Sequence, residues 1–143
     1  MDQGAAGATN EDAGDARFSV SVGPGQDAPD ATVLRLAGEL DHDTADTLSS
    51  AFETVFAAGA PRVLVDCAAL EFCDSTGLNV LLRARMTAAD SGSAVELTGL
   101  HAAVARLFEI TGVDGVFRTY PTLADGLGAD ALSEDTATRA DDK

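Results

Sequence analysis

The stretch Asp74-Ser75-Thr76-Gly77-Leu78 sets hydroxyls between a carboxylate and a glycine, where an apolar helical stripe begins. A serine at such a boundary can cap orphan backbone amides. The same amides, with the helix dipole, can instead hold a phosphate. Gly77 keeps side-chain bulk out of that first turn. Upstream, Gly38-Glu39-Leu40-Asp41-His42-Asp43-Thr44 gathers carboxylates, an imidazole and a hydroxyl in one short run. Cys67, Cys73 and His101 complete the set of groups with chemistry of their own.

Several chemistries fail on spacing. A serine hydrolase elbow reads G-x-S-x-G, and Cys73 stands where the first glycine should be. Its base would have to be His42 or His101, and His101 opens a later helix with no route to Ser75. A phosphate-binding P-loop needs a lysine, and the only lysine is Lys143. The dinucleotide fingerprint G-x-G-x-x-G is absent. A receiver domain could use Asp66, but Val22-Gly23 and Tyr120-Pro121 lack the acidic pair and the lysine it requires. The two cysteines have no second Cys/His pair, and the two histidines have no helical mate, so no metal or cofactor is expected. The cysteines read as small core or strand-end residues.

The elements that must carry these groups follow from periodicity. Phe18 to Val22 alternates apolar and polar, Gly23-Pro24-Gly25 ends the run, and Thr32 to Leu40 alternates again, which predicts an antiparallel hairpin. Asp43 or Thr44 can cap a helix striped by Ala45, Leu48, Phe52, Val55 and Phe56, stopped by Gly59-Ala60-Pro61. Val63-Leu64-Val65 lacks alternation and predicts a strand covered on both faces, closed by Asp66. Cys67 to Asp74 then reads as a loop, with a helix from about Ser75 to Ser91-Gly92. Ala94 to Thr98 is the next strand. Val104, Leu107, Phe108 and Thr111 stripe a third helix, Val116 to Tyr120 a last short strand, and Leu123 to Leu127 a helical turn. The order β-β-α-β-α-β-α implies an α/β fold with a mixed, mostly parallel sheet and one antiparallel edge strand. Loops at the carboxyl ends of its parallel strands, Gly38 to Asp43 and Cys67 to Ser75, should hold the site.

The chain has 143 residues, 9 basic and 24 acidic, for a net charge of −15. That charge argues against nucleic acid or anionic lipid as a direct partner. Residues 1–16 read as a disordered acidic leader, 17–127 as one domain, and 128–143 as a disordered acidic tail. The leader lacks the basic and apolar regions of a signal peptide, and no apolar run reaches the ~20 residues of a membrane span. The expected compartment is the cytoplasm.

Asp74-Ser75-Thr76-Gly77-Leu78, preceded by Val63-Leu64-Val65-Asp66, resembles the phosphorylation-site signature of bacterial STAS-domain anti-anti-sigma factors. Gly38-Glu39-Leu40-Asp41 followed by Thr44-Ala45 resembles the second signature of the same family, and the likeness covers about Phe18 to Leu127. It implies helices packed mainly on one face of the sheet. It implies a binding module rather than an enzyme: an anti-sigma factor antagonist. Its unphosphorylated form would bind an anti-sigma factor that is a serine kinase of the histidine-kinase-like ATPase type, releasing a sigma factor. A PP2C-type phosphatase would reset it. Carried over by position, Ser75 is the phosphoacceptor. Glu39, Leu40, Asp41, His42, Asp74, Thr76 and Gly77 form the partner surface. A scaffold or transport-accessory STAS module, and one sensing a nucleotide at the Ser75 helix, are the alternatives.

Overall fold

The apolar alternation of Phe18 and Val20 and the longer run from Ala28 build the first hairpin of the sheet. The structure is a computed structural model that describes residues 17–26 and 28–129. The expected leader, 1–16, and residues 130–143 of the expected tail lie outside the described residues. The elements run β1 (Phe18–Gly25), β2 (Ala28–Leu40), α1 (Ala45–Ala57), β3 (Arg62–Cys73), α2 (Ser75–Asp90), β4 (Ala94–Thr98), α3 (Ala102–Ile110), β5 (Thr119–Tyr120) and α4 (Leu123–Leu127). The five strands lie in the order β1-β2-β3-β4-β5. β1 is antiparallel to β2, with Val20 opposite Leu36. β2, β3, β4 and β5 are mutually parallel, aligning Leu34, Val65 and Leu97 across the sheet.

Successive residues of β3 bury on opposite faces, as a central strand requires. Val63, Val65 and Cys67 join the main core, with Leu48 and Phe52 of α1, Leu78 and Leu81 of α2, and Val104 and Phe108 of α3. Leu64 turns the other way and packs with Ala28, Ala31, Tyr120, Leu123 and Leu127. Helices α1, α2 and α3 therefore cover one face, and the short α4 covers part of the other. Among the described residues no helix is long and apolar enough to cross a membrane.

Three expectations need correction. The segment Cys67 to Asp74 is not a loop: β3 continues through Cys73. Its pairing with β2 slips twice, between Arg35 and Ala37 and between Gly38 and Glu39. Each slip adds a residue to β3, so Cys67, Leu70 and Cys73 are buried at a spacing of three rather than two. That spacing hides the strand from a period-two reading. The hairpin connection is also tighter than the predicted loop, since β1 reaches Gly25 and β2 restarts at Ala28. The last strand is only Thr119–Tyr120. Phe117, expected within it, instead enters the core against Phe108, ring centres 5.8 Å apart.

Under α4 lies a buried ion pair. Arg62 Nε and Nη2 donate to Glu96 Oε1 at 3.0 and 2.7 Å, and Nη2 also donates to the Gly126 carbonyl at 2.6 Å. The Tyr120 hydroxyl donates to the same carboxylate oxygen at 3.2 Å. The network ties β3, β4, β5 and α4 together where apolar contacts are sparse. Removing one member of a buried pair leaves its partner's charge without compensation. Glu96→Ala is accordingly expected to lower the unfolding free energy by about 3–5 kcal/mol in urea denaturation. A loss below about 1 kcal/mol would mean that water solvates Arg62 adequately.

Candidate functional site

Parallel pairing carries β2 and β3 to the same edge of the sheet, where Leu40 sits in register with Cys73. One step further the Asp74 N–H donates to the Leu40 carbonyl at 3.1 Å. The segments Glu39–Asp43 and Asp74–Gly77 are thus held side by side, although they are over thirty residues apart in sequence.

Asp74, not Ser75, caps α2. Its backbone is extended and its Oδ1 accepts the Gly77 N–H at 3.0 Å. Ser75 is the first helical residue, exposed, as is Thr76. The expected Ser75 cap is therefore corrected: a carboxylate takes the capping position, as the positive end of the helix dipole favours. Gly77 is buried for a steric reason. A Cβ there would lie 2.6 Å from Leu40 Cγ and 3.2 Å from Cys73 Sγ. Leu40 is 0% exposed and fills the space that Gly77 leaves. Both residues are buried and support the site from beneath.

The neighbouring loop is held by its own polar groups. Asp41 Oδ1 accepts the N–H groups of Asp43 at 2.9 Å and Thr44 at 3.2 Å, and the Asp41 carbonyl accepts the Ala45 N–H at 2.8 Å. Thr44, buried at the N-cap position, makes no side-chain cap bond. Its hydroxyl donates to the Glu39 carbonyl at 2.9 Å and accepts the Asp41 N–H at 2.8 Å. Thr44 thus occupies the expected N-cap position, while the Asp41 side chain holds the turn that leads into it. His42 and Asp43 are exposed, with His42 Nε2 3.3 Å from Asp43 Oδ1.

Arg17 escaped the sequence reading. Its Nη1 donates to Asp41 Oδ2 at 2.8 Å, and its guanidinium lies 3.6 Å from both Glu39 and Asp43. Gly38 allows this approach: its φ is +98°, and a Cβ there would fall 1.9 Å from the Arg17 carbonyl oxygen. That carbonyl accepts the Glu39 N–H at 2.8 Å. Nothing local in the sequence announces the contact, because the hairpin register creates it. The Arg17 hydrogen bond holds the Asp41 carboxyl below its ordinary pKa of 3.8, helped by the Asp43 and Thr44 amides. Asp41, His42 and Asp43 bring donor atoms within 4.8 Å of one another. The guanidinium already engages both carboxylates, which makes this cluster an ion-paired turn.

Neither cysteine is an activated nucleophile. Burial pushes the Cys67 thiol far up, and the carboxylate of Asp66 adds to it. Burial, then the charge of Asp74, pushes Cys73 up to about 12. Both thiols are free and stay protonated near neutral pH. The His101 ring is bonded to the Ala68 carbonyl, and the His42 ring lies on Asp43. Beside Ser75 is an open hollow of about 380 Å³, walled by Thr76, Asn79 and Leu82 of α2 and by Thr111 and Val113 beyond α3.

The protein family described as "Mlab, STAS domain" matches residues 25–123. The chain is 32% identical over 97 residues to the "Anti-sigma-F factor antagonist RsfB" of Mycobacterium tuberculosis, covering 66% of this chain and 77% of that protein. Among solved structures, an anti-sigma factor antagonist from Mycobacterium paratuberculosis matches with a TM-score of 0.68 at 30% identity, covering 78% of this chain and 92% of that one. The anti-sigma factor antagonist SpoIIAA in its unphosphorylated form shares the fold, with a TM-score of 0.65 at 20% identity over 76% and 93% of the two chains.

Two outcomes test this geometry. A methyl group at position 77 must push Leu40 or α2 aside, at a typical overpacking cost of about 1–3 kcal/mol, against a gain of about 1 kcal/mol in helix propensity. Gly77→Ala should therefore lower the thermal midpoint, and an unchanged or higher midpoint would show that Leu40 gives way freely. For Asp41, a depressed native pKa means stability that is present above the unfolded value and lost as the pH falls through the native one. Carboxyl NMR titration should find Asp41 titrating below its ordinary range, and Arg17→Ala should move that midpoint up. The same midpoint in both proteins would remove Arg17 from the turn.

Proposed function

Because the chain belongs to the STAS domain family, we propose that it is an anti-sigma factor antagonist switched by phosphorylation of Ser75. In its unphosphorylated form the edge carrying Glu39, Asp41, His42, Asp74, Ser75 and Thr76 binds an anti-sigma factor that is also a serine kinase of the histidine-kinase-like ATPase type, and a sigma factor is released. The kinase transfers phosphate to Ser75 and the complex separates. A PP2C-type phosphatase restores the binding form. The chain acts as a binding module: the partner brings the nucleotide and the chemistry.

The observation that carries this reading is the exposed Ser75 hydroxyl at the first position of a helix that Asp74 already caps. Phosphate there adds about −1.5 to −2 charge at pH 7 without breaking any hydrogen bond of the fold. It lands beside the Asp74 carboxylate and near Glu39 and Asp43, of which Arg17 offsets only part. Docking must then desolvate more negative charge and bring it against any carboxylate on the partner, where like-charge contact costs several kcal/mol. The backbone need not move for the interface to fail. The names of the relatives, each an anti-sigma factor antagonist, support the same role.

Incubation with the serine-kinase anti-sigma factor and ATP, followed by mass spectrometry, is expected to place phosphate on Ser75. Phosphate on Thr76 alone, or on neither, would overturn the assignment. Ser75→Ala should bind the kinase without release and keep its stability within about 0.5 kcal/mol, because the cap belongs to Asp74. Ser75→Asp, a partial mimic, should bind about tenfold or more weaker, equivalent to about 1.4 kcal/mol. Equal affinity of the two folded variants in calorimetry would contradict the switch.

A further inference from the structure

A second feature lies against this edge and rests on the reading above. Phe72 is 48% exposed and Ile110 is 72% exposed, two of the large apolar side chains left on the surface. Both line one hollow of about 290 Å³, together with Glu71 and with Ala103, Arg106 and Leu107 of α3. We propose that Phe72 and Ile110 are the apolar anchors on which the serine kinase seats itself to reach Ser75.

The exposure of Phe72 has a structural origin. After Leu70, strict alternation would turn Glu71 out and Phe72 in. The second register slip between β2 and β3 makes Glu71 the extra residue, so Phe72 faces solvent and Cys73 enters the core. Such bulges re-aim side chains at the ends of strands. Turning a phenylalanine out forfeits the burial that favours folding. On α3, Ile110 faces solvent next to the half-buried Leu107. Two large apolar groups lining one hollow make a patch rather than scattered exposure.

Both side chains lie within reach of a partner docked at Ser75. A stable protein interface takes about 800 Å² from each partner, which corresponds to a disc roughly 16 Å in radius. Phe72 is three residues from Ser75, so the backbone alone keeps them within about 11 Å. Thr111, which follows Ile110, lines the hollow beside Ser75 itself. A partner that holds Ser75 in its active site therefore covers Phe72 and Ile110 as well. The acids of this edge and of α3, Glu39, Asp41, Asp43, Glu71, Asp74 and Glu109, outnumber the bases Arg17 and Arg106. The matching face of the kinase is accordingly an apolar patch ringed by basic side chains, an arrangement of core and rim common at interfaces. Docking and switching are then separate: Phe72 and Ile110 supply affinity, and Ser75 decides whether the acidic rim is tolerated.

The test uses the full chain and the serine-kinase anti-sigma factor, with affinity by calorimetry and steady-state phosphorylation of Ser75. Phe72→Ser and Ile110→Ser should each weaken binding about tenfold or more, as loss of an interface hot spot does. They should raise KM for phosphorylation while leaving kcat within about twofold, because neither touches the reacting hydroxyl. Ile110→Val should restore near wild-type binding, and Ile110→Gln carries the same expectation as the serine variant should that one unfold. Wild-type affinity and KM in folded Phe72→Ser and Ile110→Ser would overturn the docking surface and leave Ser75 phosphorylation standing. Wild-type chain that neither binds nor accepts phosphate would overturn the functional reading, and this one with it. Self-association lost in Ile110→Ser, with kinase affinity unchanged, would assign the patch to a second copy of the chain and overturn the proposal.

Discussion

The parallel pairing of β2 with β3 is the constraint from which the site follows. It ends in two contacts: the Asp74 N–H on the Leu40 carbonyl, and the Leu40 side chain pressed against the backbone of Gly77. The hydrogen bond fixes where β3 stops. The steric contact fixes how closely the first turn of α2 can approach β2, because only a residue without Cβ allows it. Ser75 inherits its position from both. Its hydroxyl is exposed, yet it stands on backbone anchored to the buried residues Leu40 and Cys73, which end two paired strands. A group modified in such a place changes the surface potential and leaves the packing intact, which suits a switch read by a partner rather than by the chain's own conformation.

The two faces of the sheet are stabilised differently. Three helices bury the main core with aliphatic and aromatic side chains. Among the described residues the other face carries the short α4 and a small apolar cluster, and there a buried guanidinium and carboxylate take over part of the cohesion. Arg62 Nη1 is buried and has no hydrogen-bond partner among the described residues. Such pairs add little net stability over an apolar replacement, but they hold a defined geometry. Here that geometry sets α4 against β3, β4 and β5. The proposed functional edge lies at the carboxyl ends of β2 and β3, where the loops are held by backbone pairing and capping bonds instead.

Electrostatics at that edge is graded. Asp41 is half-buried and engaged by several donors, so it works as a structural turn residue despite its place in an acidic loop. Glu39 and Asp43 lie further out, at the longer distances to Arg17, where solvent and salt screen them. Arg17 thus tempers the acidic field that a phosphate on Ser75 would enter. The thiols below are shielded by burial and do not take part in titration near neutral pH.

The order of elements, the main helical stripes and the two chemically dense segments were legible in the sequence, because each depends on local periodicity or on residues with fixed local preferences. The resemblance to the STAS family rested on the same short segments. Four matters were decided only in three dimensions. β3 is four times the length of its three-residue apolar run, because pairing with β2 sustains a strand through bulges that erase the alternation. Asp74 rather than Ser75 caps α2, since both can cap and the end of β3 fixes which of them has extended backbone. Arg17 reaches Asp41 across twenty-four positions of sequence through the register of a hairpin. Leu40 is hidden while Phe72 and Ile110 are exposed, although all three are apolar and their types alone do not distinguish them. A side chain's type reports the environment it favours; strand register and helix placement decide the environment it receives.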